Sequence, residues 1–424
     1  MIVWLLVVFA VGILLGVPIA FALGLACLAY LLLTGTPLIV MSMKMYSGID
    51  VFVLLSIPGF ILAGNLMNAG GLTQRIVALC NHLVGHVRGG LALANIAASM
   101  VFAGISGTAI SDTASIGSVM IPAMRREGYD ADFACAVTAA SSTVGPIIPP
   151  SVSMIIAATL TGLSVGKLFL AGAIPGFLLG ASLLGYTYVV SRRRGYPKHA
   201  RSSWRAVRAS LRDTSWALLM TVLILYGIIG GLFTPTEASI VAVLYAVLVG
   251  AFVYRQLTLK RVLAVVLDSM RTSAALMVLI GFANLFGYLL ITERMPQAVS
   301  AAILGFSDDP YVVLLLINLF LIVVGTFMET IAALLILFPI LLKVALAVGV
   351  DPIHFSVIAL LNLMIGLTTP PLGVCLFVAA GIGKVPIGAV SRAGLPFLLV
   401  SLTVLALVTL WPGVSLWLPG VLGD

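Results

Sequence analysis

Charged residues are scarce in this chain: 8% of its 424 residues are Asp, Glu, Lys or Arg, whereas 62% are hydrophobic. With a mean hydropathy of +1.23, the chain has too little polar surface to cover a soluble globule, and we predict a polytopic membrane protein. Cysteine and histidine are also scarce, with four of each. Neither type has metal-ligand or disulfide spacing, so we predict packing cysteines, no transition metal and no cofactor.

The basic residues are unevenly distributed along the chain. None precedes Lys44, so the apolar N-terminus lacks the basic region of a signal peptide and is predicted to be a retained span. The most basic stretch is 192–212, which the positive-inside rule places in the cytoplasm. Its apolar and basic residues at helical spacing suggest a short helix on the anionic inner leaflet. A solvated loop that only sets orientation is the alternative.

An internal repeat is the most informative feature that is present. DTASIGSVMIP, starting at Asp112, resembles ETIAALLILFP, starting at Glu329, and these acids lie 217 residues apart (329 − 112). Two proline pairs, Pro149-Pro150 and Pro370-Pro371, lie 221 residues apart (370 − 149). Both copies place Gly, Pro and one acid inside long apolar segments, the pattern of a transporter built from repeats with broken helices.

Charge determines how the glycine-rich segments are interpreted. The segments 90–125 and 309–343 could each be two crossings or one re-entrant hairpin. Basic residues flank the first at both ends, which predicts a hairpin opening to the cytoplasm. Asp308 precedes the second and parity from the basic stretch opens it to the other side. The fold class predicted is therefore an all-α polytopic membrane protein with two inverted-topology repeats, each with a re-entrant hairpin and a broken transmembrane helix.

This topology divides the chain into four parts. They are the first repeat, 1–190, with a hairpin at about 90–125 and a broken helix at about 131–161; a basic cytoplasmic linker, 191–213; the second repeat, 214–411, with a hairpin at about 309–343 and a broken helix at about 353–382; and a periplasmic tail, 412–424. Residues 1–33 are taken as two short spans. Of 22 Lys and Arg, 18 become cytoplasmic; the exceptions are Lys44, Lys167, Arg294 and Lys343. Amphipathic segments before each hairpin are predicted to lie flat at the interface.

The hairpin tips and helix breaks are the candidate sites. Segments 104–108 and 141–146 in the first copy, and 325–328 and 362–370 in the second, are rich in Gly, Ser and Thr. Hard cations prefer several oxygen ligands, and backbone carbonyls with hydroxyls supply them. Two equivalent sodium sites are the hypothesis. The alternative is that these small residues only allow tight helix packing.

Asp112 and Glu329 are predicted to begin the second arms of the hairpins. An acid at membrane depth is costly and suggests a functional group. The alternative is that each caps the N-terminus of the returning helix. In either case, half-helix N-termini favour an anionic, carboxylate-bearing substrate. Further substrate-facing candidates lie in the breaks: Ser142, Pro149, Pro150 and Pro370.

Six segments resemble the large membrane subunit, the DctM type, of tripartite ATP-independent periplasmic (TRAP) transporters. They are GVPIAFALG (16–24), FAGISGTAISDTASIGSVMIPAM (102–124), SSTVGPIIPPS (141–151), FTPTEAS (233–239), FMET (327–330) and LTTPPLGVCLFV (367–378). The resemblance implies a multi-pass protein of the bacterial inner membrane that imports organic acids with sodium by an elevator movement. It also implies two partners, a periplasmic substrate-binding protein (DctP type) and a separate small four-helix membrane subunit (DctQ type).

The resemblance also implies which residues hold sodium. The first site falls on Ser106, Gly107, Thr143 and Gly145, and the second on Gly325, Thr326, Met328, Gly366 and Thr369.

Two other functions compete with this hypothesis. Gly104-Ile105-Ser106-Gly107 fits the Gly-x-Ser-Gly pattern of intramembrane serine proteases, but such an enzyme needs a histidine near the serine, and the second copy has no serine there. We therefore predict that the protein is not an enzyme. The second alternative is a carboxylate or ion transporter of the same superfamily that works without a binding protein.

Overall fold

The computed structural model describes the backbone of residues 1–106 and 108–422, and all of their side chains except those of residues 103–106. Within this part of the chain every regular element is helical. Eight of the described helices are long and apolar enough to cross a membrane. The prediction of an all-α polytopic membrane protein is therefore confirmed.

The described α-helices follow one another with short connections. The first half contains α1 (Ile2–Leu14), α2 (Ile19–Thr34), α3 (Ile39–Ile49), α4 (Ser56–Ala69), α5 (Leu72–Val84), α6 (Gly90–Ser106), α7 (Ala109–Arg126), α8 (Ala131–Ser142), α9 (Val152–Thr161) and α10 (Val165–Arg194). The second half contains α11 (Trp204–Ile229), α12 (Pro235–Leu248), α13 (Leu259–Thr292), α14 (Met295–Leu304), α15 (Pro310–Phe327), α16 (Thr330–Ala347), α17 (Pro352–Gly366), α18 (Val374–Gly383), α19 (Ile387–Leu410) and α20 (Gly413–Leu422). The 3-10 turns are Phe52–Leu55 and Gly145–Ile147, and a π turn covers Val249–Val253.

The helices of the two halves pack together in two groups. In the first group, α12 packs on α4, and α13 packs on α2, α3 and α4. In the second group, the pair α6–α7 packs on α8, the pair α15–α16 packs on α17, and α18 and α9 cross over to α7 and α16 of the other half. The groups meet where α16 contacts α13 and α14. Since each group draws helices from both halves, neither half forms its own core.

Local sequence explains several helix ends. Thr234 caps α12: its hydroxyl accepts a hydrogen bond from Glu237 N, while a Glu237 carboxylate oxygen accepts one from Thr234 N at 2.8 Å. Pro235 occupies the first helical position, where its missing N–H costs nothing. Between α1 and α2, Gly16 has a φ of +79° and Pro18 follows it. The first residues therefore form two separate helices of 13 and 16 residues, both shorter than an ordinary span.

The basic linker is mostly helical, which corrects one prediction. α10 continues to Arg194 and α11 begins at Trp204, so only residues 195–203 lie outside helices. The basic side chains of residues 205–212 belong to the first turns of α11. The solvated-loop alternative is wrong for this stretch, and the helix is continuous with the following span rather than separate from it.

An ion-pair cluster holds the linker to the base of α7 and α8. Arg194 forms an ion pair with Asp130 at 2.8 Å, and the Tyr196 hydroxyl donates to the same carboxylate at 2.7 Å. Burial, together with this bond to Asp130, raises the pKa of Tyr196 to about 12. His199 Nε2 lies 2.7 Å from a Glu127 carboxylate oxygen. These contacts join the cytoplasm-predicted ends of α8 and α10 into one unit.

Candidate functional site

The first helix break separates α8 from α9. After Ser142 the chain makes the 3-10 turn Gly145–Ile147, and the axes before and after the break differ by 42°. Pro146 and the cis-linked Pro149-Pro150 prevent the α-helix from continuing. Ser151 then caps α9 and donates its hydroxyl hydrogen to the Pro146 carbonyl at 2.5 Å. Thr143, Gly145, Pro149 and Pro150 are all buried.

The second break, residues 367–373, separates α17 from α18. It too contains a cis-linked proline pair, Pro370-Pro371, and it ends at Gly373 with a φ of +56°. This break is more open than the first, because Thr369 and Pro370 are half-buried while Pro371 and Leu372 are exposed. Irregular backbone at membrane depth is tolerated only when it is buried in protein or faces water. The exposed residues of this break must therefore border a water-filled space.

Hydroxyls at both breaks share one arrangement. Each donates its hydrogen to a backbone carbonyl of its own helix: Ser142 Oγ to Thr138 O at 2.8 Å, Thr143 Oγ1 to Ala140 O at 2.8 Å, Thr326 Oγ1 to Val323 O at 2.7 Å and Thr369 Oγ1 to Ile365 O at 2.9 Å. A hydroxyl has one hydrogen, so each oxygen offers only lone pairs to any further partner. Lone pairs are what a cation accepts as ligands.

The second predicted sodium site is assembled by a backbone contact between α15 and α17. A Cβ atom built on Gly366 would lie 2.6 Å from Gly325 Cα, and one built on Gly325 would lie 3.1 Å from Gly366 Cα. Only glycine at both positions allows this approach. Thr326 and Met328 follow Gly325 at the end of α15, so the structure brings the end of α15 against the end of α17. Thr369 lies one turn beyond Gly366.

The first predicted sodium site is only partly visible. Gly107 and the Ser106 side chain lie outside the described residues. Thr143 and Gly145 are described, and the turn that begins at Gly145 packs against both α6 and α17. The first break is therefore adjacent to the helix that leads into the second break.

The two acids do not occupy equivalent positions, which corrects the predicted pairing. Glu329 is the N-cap of α16, and its carboxylate accepts hydrogen bonds from Ile331 N at 3.0 Å and Ala332 N at 3.3 Å. In the first copy the N-cap of α7 is Thr108, which accepts from Ser111 N. Asp112 is the fourth residue of α7, where it is fully buried, so the capping hypothesis is wrong for Asp112 and confirmed for Glu329. Helix ends pair Thr108 with Glu329, 221 residues apart (329 − 108).

A polar pair inside each hairpin assembly was missed in the sequence. Ser99 Oγ donates to Ser141 Oγ at 2.8 Å, linking α6 to α8. The equivalent helices of the second copy are linked by Asn362 Nδ2, which donates to Asn318 Oδ1 at 2.7 Å. Asn318 Nδ2 in turn donates to Thr409 Oγ1 of α19 at 3.1 Å. Isolated polar residues in apolar runs at a separation of about 220 were the available signal.

A polytopic helical protein in which hairpin ends meet two proline-broken helices has the architecture of a secondary transporter. Residues 6–414 match the family model described as the tripartite ATP-independent periplasmic transporter, DctM component. The chain belongs to this family. It is a large permease subunit of a TRAP transporter rather than an enzyme, so the protease alternative is excluded.

Individual comparisons agree with this assignment. The chain is 43% identical to the sialic acid TRAP transporter large permease protein SiaM of Vibrio cholerae, covering 98% of this chain and 96% of the relative. It is 42% identical to the C4-dicarboxylate TRAP transporter large permease protein DctM of Pseudomonas aeruginosa, covering 90% of each. The crystal structure of the Alcanivorax borkumensis YdaH transporter superimposes with a TM-score of 0.65, covering 91% of this chain and 89% of that one at 18% identity. The last similarity shows the fold alone.

Proposed function

We propose that this subunit imports an organic acid across the bacterial inner membrane, driven by sodium. The relatives named above are permeases for sialic acid and for C4-dicarboxylates, and both kinds of substrate carry carboxylates. A soluble periplasmic binding protein would deliver the acid, and a separate small four-helix membrane subunit would complete the transporter. The three-part description of the family supports both partners.

The observation that carries the sodium proposal is the shared orientation of the hydroxyls at the breaks. Thr143, Thr326 and Thr369 each direct a lone pair, not a hydrogen, away from their own helix. Helix ends add backbone carbonyls that lack intrahelical partners. In the described residues no group of three His, Cys, Asp or Glu side chains comes together. An all-oxygen set of neutral donors suits a hard monovalent cation better than a transition metal.

The N-terminus of α18 is the part of the second break best suited to the carboxylate. At the N-terminus of α16, two backbone N–H groups already bond to Glu329. By contrast, α18 begins after Gly373 with no side-chain cap among the described residues, and it borders the exposed part of the break. Free N–H groups and the positive end of the helix dipole favour an anion there.

The packing of the helices supports an elevator movement. The hairpins and broken helices form one group, and α1–α4 with α11–α13 form the other. We propose that the two halves are inverted repeats and that the group carrying both breaks slides against the other. Helices α5 and α14, which precede the hairpins, would brace that movement from opposite sides of the membrane.

Uptake into proteoliposomes tests the proposed function. Vesicles would contain this subunit and its small partner, with ligand-loaded binding protein outside and an inward sodium gradient. We expect uptake that disappears when sodium is replaced by potassium or when the binding protein is omitted. Uptake of free acid without the binding protein would contradict the tripartite mechanism, and uptake without sodium would contradict the coupling.

A further inference from the structure

A cavity of about 460 Å³ lies between the two helix groups, away from the breaks. It is bordered by α3, by the last turns of α9 and α13, by Pro296 of α14 and by the second half of α16. Each of α9, α13 and α16 contributes the end that is farther from the basic linker, so the cavity opens at the face predicted to be periplasmic. Its volume is within the range of small-molecule sites.

The charged residues that line the cavity are two lysines on opposite walls. Lys44 comes from α3 and Lys343 from α16, and no acidic residue lines the cavity in the part of the chain that the structure describes. Among those residues, neither ammonium group forms an ion pair. The nearby carboxylate of Glu293 accepts a hydrogen bond from the Tyr30 hydroxyl at 2.5 Å.

Lys44 is held in place by two neighbours that also line the cavity. Asn284 Nδ2 donates to the Lys44 carbonyl at 2.7 Å, and the Lys44 ammonium lies 4.1 Å from the centre of the Tyr288 ring. Both neighbours are on α13, so α3 and α13 together present this ammonium at the wall. A held ammonium loses less conformational entropy when it binds a partner.

The positions of these lysines run against the charge distribution of the whole protein. Four Lys and Arg were predicted to lie outside the cytoplasmic face, namely Lys44, Lys167, Arg294 and Lys343. Two of them line this cavity and Arg294 is two residues from Pro296, a third point on its wall. Positive charge is disfavoured on that face. Its concentration around one cavity therefore indicates a local requirement for an anion.

The cavity also leads toward the candidate site. Along α16 its lining extends from Lys343 to Leu335, which is about 12 Å at 1.5 Å per residue. Glu329, the first residue before α16, lies about 9 Å further along the same helix. An anion between the two lysines would thus lie above the helix that ends at the second break.

We infer that this cavity is an anion-binding vestibule, in which Lys44 and Lys343 hold the carboxylate of the incoming acid before it reaches the breaks. The inference rests on the proposed function, since it takes the acid as the ligand. The two lysines lie on the two groups that the elevator would move past each other, so the vestibule would be complete in only one of their arrangements.

A cysteine reporter at Ser47, which lines the cavity, tests this inference in proteoliposomes containing both subunits. The four native cysteines are buried, so background labelling is low. The rates of reaction with 2-sulfonatoethyl and 2-aminoethyl methanethiosulfonate would be compared at about 10 mM salt, where screening is weak. We expect Lys44→Gln and Lys343→Gln each to lower the ratio of anionic to cationic rate by about fivefold, the effect of one unit charge at ~8 Å in water.

Controls and a ligand arm complete the experiment. Lys44→Arg keeps the charge and should keep the ratio, and a reporter at Ser307, beside Asp308 on the same face, should not respond to either lysine substitution. Succinate or N-acetylneuraminate should slow labelling at Ser47→Cys, and the double Lys→Gln variant should lose this protection.

The outcomes separate this inference from the proposed function. An unchanged rate ratio, or protection by neither acid, would overturn the vestibule even if sodium-driven uptake occurs. Protection that anionic phospholipid provides and the acids do not would overturn it in favour of a lipid phosphate. Protection by an acid in a protein that shows no sodium-driven uptake would support the vestibule and overturn the proposed function.

Discussion

The two helix breaks contain similar residues but differ in their enclosure. In the first break, Thr143 and the proline pair Pro149-Pro150 are buried, and Ser151 closes the loop with a hydrogen bond to Pro146 O. In the second break, seven residues separate the helices, and Leu372 is 41% exposed. The same donor chemistry is thus presented once inside the protein and once at a water-facing surface. The comparison teaches that substrate access is a property of the second break in this conformation.

Cysteine accessibility gives the largest expected contrast. Leu372→Cys should react with a membrane-impermeant maleimide at least about 100-fold faster than Val144→Cys, because labelling the buried position needs local opening, at 1.4 kcal/mol per tenfold. The native cysteines provide the baseline, since all four are buried. Equal rates at the two positions would show that the breaks do not differ in access.

The glycine contact should be essential for transport. Gly366→Ala places a methyl group against the Gly325 backbone, and overpacking of this kind typically costs 1–3 kcal/mol. We expect uptake to fall by about tenfold or more, measured as the initial rate in proteoliposomes.

A matched control exists on the next helix. Gly381 of α18 has nothing within 4 Å of its added Cβ atom, so Gly381→Ala should keep normal uptake. Normal uptake in Gly366→Ala would refute the contact between α15 and α17.

The polar pairs allow the two copies to be compared directly in stability. Asn362→Ala leaves the buried Asn318 side-chain oxygen without its donor, and we expect a loss of about 1–3 kcal/mol. Ser141→Ala removes the smaller first-copy pair and should cost about 1 kcal/mol. Thermal unfolding of both variants in detergent would measure the order. A larger loss for Ser141→Ala would reverse the comparison.

The N-caps should give the smallest difference. Glu329→Ala removes an acceptor for two backbone N–H groups and should destabilise the protein by about 1 kcal/mol. Thr108→Ala removes a cap with one longer bond, 3.4 Å, and should cost less. Glu329→Gln keeps an acceptor oxygen and serves as the control in thermal unfolding. Loss of stability in Glu329→Gln equal to that in Glu329→Ala would show that charge, not capping, is responsible.

The sequence predicted breaks and amphipathic helices well, because Gly and Pro act locally. The first broken helix was placed at 131–161, where α8 begins and α9 ends. It was less informative for helices that extend beyond the membrane. α13 begins at Leu259, whereas a span of 272–291 was predicted, because charged residues such as Lys260 and Asp268 continue the helix without being apolar.

The candidate site was predictable in its segments but not in its contacts. The register of the acids was wrong, because a similar local motif gave a separation of 217 while the helix ends follow 221. The Gly325–Gly366 approach and the Asn318–Asn362 bond depend on how helices distant in sequence cross. No local pattern of residues encodes such a crossing.

The sodium dependence of uptake tests the central claim most directly. Thr369→Val removes one candidate oxygen ligand, and we expect the sodium concentration for half-maximal uptake to rise by about tenfold, the equivalent of 1.4 kcal/mol. Thr403→Val removes a hydroxyl with the same back-bonding on α19 and should leave it unchanged. The same sodium dependence in the wild type, Thr369→Val and the equivalent Thr143→Val would contradict sodium coupling at the breaks.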